Sequence, residues 1–450
     1  MIIYTLATNN IANNMSSSVL SALETLQLNF DSGANKATTV RQSYQEDTLG
    51  KLRVVNPTTV FDNKFLTGKN PQFFQESDVS GSGGAFEYKG DFSAVRIYND
   101  AVGTAVKKVF QTYQRFPYES GKSQLIYMTG RLSVIADSLV DRSMGIFDDE
   151  NGFFFNDNGV NCGVVRRTSS SGSAVDNRTP QSSFNIDTVD GNGSSGQIWD
   201  PAKFNVYVID FTWLGGIKVR YGIVLGGKIV YVHQENYSNT ANEPFLSHPN
   251  LPLRYELNAQ AGAGANRYIE AVCQSVISEG GYNLDRGITR SIYNTANVTG
   301  LTSGSVYGII GLRFKTTFGG STYRRSMLQI VSDALKLVST SDECVYGILH
   351  DPSISGIPVW NDVDANNSVA QYAFGSNLIT LSGGIRLSSH FLETDSGGGA
   401  SSESTENREV SSTINLGYTI SGASQTVWLY VEPLTASVDV RGIVNWIEIT

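Results

Sequence analysis

The sequence predicts a mainly β protein, with two β-sandwich (jelly-roll-like) domains behind an N-terminal arm that carries one amphipathic helix. Three observations lead there. After residue 47, apolar and polar residues alternate at period two in many short runs. Glycine is abundant, at 45 of 450 residues, and charged residues make up only 17%, which suits many short strands joined by tight turns. Before residue 47 the period is that of a helix instead.

The arm, residues 1–47, comes first. Ile11, Met15, Val19, Leu23, Leu26 and Phe30 recur at helical spacing and define one apolar face. Asn13, Asn14 and Ser16 are suitable N-caps, and polar DSGANK ends the helix. An isolated helix of this length is marginal in water. Its face therefore needs a partner surface: its own sandwich, sister copies, or another protein.

The first sandwich is read over residues 48–258. Its clearest block is FNVYVIDFTWLGGIKVRYGIVLGGKIVYVH, 204–233. There, Leu214-Gly215-Gly216 and Leu225-Gly226-Gly227 form turns between apolar strands, because paired glycines supply the positive φ that hairpins need. Residues 168–203 are a polar excursion that is expected to wrap over the sandwich, pinned by Phe184, Ile186 and Trp199. The small, flexible stretch AQAGAGAN, 259–266, is read as a domain boundary. A second sandwich then covers 259–450, with strands at 268–277, 305–318, 344–350, 369–374, 377–381, 427–431 and 444–449. Residues 327–338 fit either a helix or a strand and are assigned as strand. ETDSGGGASSESTENREV, 393–410, is a low-complexity, solvated loop.

Composition excludes several function classes. The net charge of −9 argues against a nucleic-acid surface, which needs basic patches. No stretch approaches the ~18 uninterrupted apolar residues of a membrane-spanning helix, and the opening MIIYTLATNN lacks the basic start of a leader. Cys162, Cys273 and Cys344 are far apart and odd in number, which favours free thiols in a reducing compartment over a disulfide framework or a zinc site.

Chemical motifs are weak. Gly121-Lys122-Ser123 is the tail of a phosphate loop, but the position five residues before Gly121 is Phe116, Pro117 lacks an N–H, and apolar SQLIYMTG follows where a helix is required. A turn is the reading, with Lys122 solvating the next strand. No alternating run of carboxylates marks a glycosidase, and Asp210 reads as a single hydrogen-bonded acid. Asp148-Asp149-Glu150 is a hairpin tip. The four histidines, His233, His248, His350 and His390, show no metal spacing. Asp187, Asp190 and Asn192, and likewise Asp362, Asp364 and Asn366, offer oxygen ligands for calcium without the full loop pattern. Trp199, Trp213 and Trp360 are candidates for stacking on sugar rings, with core packing as the alternative. No cofactor is expected.

One resemblance carries more. The stretches KLRVVNPTTVFD, QRFPYESGKSQLIYMTGRL, MGIFDDENGFFF, VVRRTSSSG, DNRTPQSSFNIDTVDGNGSSG, the 204–233 block and HPNLPLRYEL resemble, in order and spacing, a segment of tailed-phage virion proteins of marine and cyanobacterial phages. STSDECVYGILHDPSISG and the Trp that follows it look like that family's second β-domain. The resemblance covers most of the chain after residue 47. It implies a non-enzymatic fibre or decoration protein in the virion, assembled in the host cytoplasm. Other virion proteins are the implied partners. The arm lies outside the resemblance, and its apolar face, Ile11, Met15, Val19, Leu23, Leu26 and Phe30, is the surface expected to reach them. The resemblance also implies a homo-oligomer, with a trimer favoured. The alternatives are a receptor-binding protein of the same particle that grips a host glycan, and a virion-associated glycan hydrolase. Neither nucleic-acid binding nor membrane insertion is expected.

Overall fold

The computed structural model describes residues 47–449 except 49, 51–52, 54–55, 82, 101–103, 133–134, 217, 284–285, 319–320, 323–326, 339–342, 394–415 and 436. The arm helix and its face from Ile11 to Phe30 lie outside the described residues, as does most of the 393–410 loop.

The first sandwich holds β1 (Thr58–Lys64), β2 (Phe74–Ser80), β3 (Ala85–Lys89), β4 (Ala94–Asn99), β5 (Val106–Thr112), β6 (Ser123–Arg131), β7 (Val140–Phe147), β8 (Gly152–Asp157), β9 (Cys162–Thr168), β10 (Val175–Pro180), β11 (Asn205–Thr212), β12 (Lys218–Leu225), β13 (Lys228–Asn236), β14 (Leu253–Ala259) and β15 (Arg267–Glu279). One sheet runs β13-β12-β11-β6-β15-β4-β3, with β1 added against β15, and the other runs β10-β9-β8-β7-β14-β5-β2. All of these pairs are antiparallel.

Pleat alternation decides which side chains meet between the sheets. Tyr207, Ile209 and Phe211 of β11 face the core, as do Phe153 and Phe155 of β8. The two sheets interlock through aromatic edges: Phe153 sits 5.1 Å from Phe211, and Phe155 meets Tyr221 at 5.8 Å and 89°. The intervening residues of β11, including Asp210, point away from this core.

The second sandwich has its own core, which includes Leu312, Phe314, Leu335, Val440 and Trp446. A four-stranded sheet joins Ile288–Tyr293, Val298–Leu301 and Met327–Leu337 to Val438–Ile449, and a nine-stranded sheet is centred on Val306–Phe314, Thr426–Pro433 and Glu343–His350. Trp428 is fully buried against Gly308 and Gly311, where a Cβ would lie within 2.5 and 2.6 Å of the indole. The mainly β fold is borne out, and the ambiguous stretch at 327–337 is a strand.

Two expectations are corrected. The stretch 259–266 does not separate the sandwiches. It joins β14 of one sheet to β15 of the other, and β15 pairs with β1, β4 and β6. The first sandwich therefore extends to Glu279. The excursion at 168–203 contributes a strand, β10, which extends the second sheet through β9. Phe184 and Trp199 do pin it, but Ile186 is exposed.

The two sandwiches touch through a side-chain clasp. On β2, the Gln75 amide donates to Tyr418 O at 3.1 Å and accepts from Ile420 N at 2.7 Å. Tyr418 N donates to Tyr113 O.

Candidate functional site

Four strands and one turn of the first sandwich build a charged cleft on the face opposite its core. In register, Glu279 of β15 lies beside Ser123 of β6, and Ile277 beside Leu125. Asp210 of β11 lies beside Leu125 on one side and Arg220 of β12 on the other. Pleat alternation puts these side chains on one face, together with Tyr127. The segment before β1 crosses this face. Thr48 bonds Ser123 and Thr212, and Arg53 reaches Asp210 and Glu279.

Asp210 is fully buried. Its Oδ1 accepts from Ser123 Oγ at 2.6 Å, and its Oδ2 accepts from Arg53, from Arg220 and from the Tyr231 hydroxyl. A buried carboxylate requires this many donors, because an unpaired charge there is costly. Arg220 also lies over the Tyr231 ring, 4.3 Å from its centroid.

Beside this cluster opens a cleft of roughly 520 Å³, lined by Asp47, Arg53, Pro57, Gly121, Lys122, Leu125, Tyr127, Ile277, Glu279 and Gly280. Glu279 is its chemical centre. Burial, followed by the charge of Asp210, pushes its carboxyl up to about 7, against the pull of Arg53. Its Oε1 takes Arg53 Nε at 2.8 Å, and its Oε2 is buried without a hydrogen-bond partner among the described residues. Burial tends to lower the pKa of Arg53, but Asp210, Tyr231 and Glu279 outweigh it, and the guanidinium is held charged. Burial also raises the Tyr127 phenol, which stays neutral.

The Gly121-Lys122-Ser123 turn is part of this site. Gly121 has φ +85°, and Lys122 N closes the turn on Glu119 O. A strand follows, not a helix, so the stretch is no phosphate loop. Lys122 is not a solvating charge as expected. It pairs with Glu119, and its Nζ donates to Gly281 O at 2.9 Å. Asp210 was legible only as a satisfied acid. Arg53 and Glu279 were not singled out at all, because nothing in their local sequence marks them.

The other sequence candidates are placed elsewhere. Asp187 accepts from Val189 N, Ser194 Oγ and Ser195 N, Asp190 accepts from Asn192 N, and Asp364 accepts from Asn366 N and Asn367 N. These are turn-closing carboxylates. Among the described residues, no three His, Cys, Asp or Glu side chains converge on a metal-sized point. Trp199 is core, Trp213 donates to Leu246 O, and Trp360 stacks edge-on to Trp428. Asp148 is paired with Arg115 at the hairpin tip, which holds it below the usual carboxylate range despite its burial.

No protein-family model matches the chain, and no curated protein matches it. Solved structures do. The endo-1,3-beta-glucanase of Streptomyces sioyaensis is similar over 50% of this chain and 97% of its own, at 11% identity and TM-score 0.34. The legume lectin-like domain of Entamoeba histolytica is similar over 49% and 97%, at 8% identity and TM-score 0.29. The CBM2 module of the evolved Dit of Lactobacillus casei BL23 phage J-1 is similar over 51% and 99%, at 10% identity and TM-score 0.33. These likenesses concern the fold. They correct one expectation: several of the similar structures are glycoside hydrolases, so the sandwich gives no ground for excluding an enzyme.

Proposed function

We propose that this protein is a phage virion component, a fibre or decoration protein, that binds a saccharide in the Glu279 cleft. The observation that carries the binding reading is the composition of the cleft wall. Leu125, Ile277 and Pro57 supply apolar surface, while Arg53, Lys122 and Tyr127 donate and Glu279 Oε2 accepts. A pyranose ring has the matching character, with apolar C–H faces and hydroxyls that both donate and accept. At neutral pH, Glu279 is divided between its two protonation states and meets a hydroxyl in either role. The virion assignment is supported by the family resemblance of the chain after residue 47. Attachment and homo-oligomerisation are assigned to the arm, whose apolar helical face, Ile11, Met15, Val19, Leu23, Leu26 and Phe30, needs a partner surface.

The test is a glycan array probed with the full chain, followed by titration of any hit against Tyr127→Ala. Tyr127 is half-buried at the cleft wall, and loss of one stacking or hydrogen-bonding aromatic costs on the order of 1–3 kcal/mol in affinity. Binding untouched by Tyr127→Ala and by Lys122→Ala refutes this cleft as the site.

A second reading, hydrolysis in the same cleft, is favoured by the raised pKa of Glu279. A general acid must hold its proton near working pH. Release of reducing sugar from a bound polysaccharide, abolished in Glu279→Gln while binding persists, supports this reading. Equal binding with no turnover in the wild type rejects it.

A further inference from the structure

We propose that the polar pocket between the two sandwiches, walled by Tyr113, His350, Asp351 and Gln425, is a second binding site that takes one neutral sugar ring. The pocket measures roughly 260 Å³, and the exposed Gln72 is among its lining residues. A water's share of liquid volume is about 30 Å³, so the space holds much more than one bridging water.

His350 points to a ligand. It ends the strand Glu343–His350, is only 2% exposed, and neither ring nitrogen has a hydrogen-bond partner among the described residues. Burial keeps it neutral, so it presents one donor and one acceptor. Its neighbour Asp351, held at φ +48°, accepts from Thr426 N at 3.3 Å and from Gln425 Nε2 at 3.5 Å. Both bonds are long and leave lone pairs to spare.

The wall chemistry selects among ligands. Among the described residues, no Lys or Arg lines the pocket, so an anion meets the Asp351 carboxylate with no described cation on the wall to offset it. A metal ion accepts lone pairs only and leaves the imidazole N–H unmet. An ammonium group donates only and fails the same way. A hydroxyl donates and accepts at one atom, and adjacent ring hydroxyls span the imidazole and the carboxylate. The Tyr113 ring supplies an apolar surface for the ring's C–H face.

This site is independent of the Glu279 cleft, and its test is chosen accordingly. The full chain, labelled with ¹⁵N-histidine, shows four imidazoles, and His350→Asn identifies the resonance to follow. Glucose, galactose, mannose and N-acetylglucosamine are titrated separately. Gln72 lines the pocket and is exposed, so Gln72→Trp narrows the pocket without disturbing the fold. The proposal expects a saturable shift of the His350 signals with at least one sugar, weakened about tenfold or more in Gln72→Trp and unchanged in Glu279→Gln. Four outcomes overturn it: no saturable shift with any of the four sugars, a shift of equal affinity in Gln72→Trp, a shift lost in Glu279→Gln, or a response to zinc or calcium that EDTA reverses in place of a response to sugar.

Discussion

Replacing Glu279 by Gln should make the protein more stable at pH 8 and change little at pH 4.5. The carboxyl moves from the ordinary 4.5 of a glutamic acid to about 7 on folding. The folded state thus binds this proton more tightly than the unfolded state. Below pH 4.5 the group is protonated in both states and carries no penalty. As the pH rises from 4.5 to 7, the unfolded chain ionises first, and folding loses up to 1.36 kcal/mol per unit. Above about pH 7 the loss is complete, on the order of 3 kcal/mol, treated as an upper limit because the side chain keeps 12% exposure. Glutamine has the same shape and does not titrate. Urea denaturation of both proteins at pH 4.5, 6 and 8, followed by tryptophan fluorescence, yields the difference directly. The wild type should fall behind the variant steadily across that window. Parallel stability curves would mean that Glu279 is solvated or fully neutralised by Arg53, and the cleft chemistry argued above would fail with it.

Arg53→Ala should cost roughly 1–3 kcal/mol, less than the loss of a sole partner, because Arg220, Tyr231 and Ser123 still hold Asp210; calorimetry measures it, and an unchanged melting temperature contradicts the clamp. Gly311→Ala should destabilise by about 1–3 kcal/mol, since a Cβ there falls 2.6 Å from the immobile Trp428 indole; a neutral effect would show that the indole can shift. Native protein should react with Ellman's reagent at Cys273 alone, because Cys344 is fully buried and the buried Cys162 thiol is pushed up to about 12; rapid titration of all three thiols rejects this. Removing residues 1–46 should leave the sandwiches folded and abolish incorporation into virions; normal incorporation shows that the arm is not the anchor.

The strands with two apolar faces and paired-glycine turns, β11 to β13, were legible because periodicity and turn chemistry agree there. The boundary was misplaced for a physical reason. A small, flexible loop serves equally well to cross from one sheet of a sandwich to the other, and composition does not distinguish the two uses. The cleft was illegible for a different reason. Arg53, Ser123, Asp210 and Glu279 meet only because β15 inserts beside β6, a pairing between segments far apart in sequence. Each residue looks ordinary where it stands: a strand-end acid, a turn serine, a lone arginine. What could have drawn attention is Asp210 itself, a carboxyl inside an apolar strand that must find cations somewhere.

The Gln75 clasp has a temporal side. Its partners Tyr418 and Ile420 lie 343 and 345 positions later. At about 5–20 residues per second, a ribosome takes roughly 17–70 s to deliver them after Gln75 emerges. The first sandwich is complete in sequence at Glu279, so for the rest of that interval β2 is an edge strand of its sheet without its clasp. An uncovered edge strand invites pairing with another nascent chain. The sequence of β2, FQESDVS, places Glu76 and Asp78 along that edge. These charges discourage a second strand from adding while leaving the Gln75 amide available for the one segment that is meant to arrive.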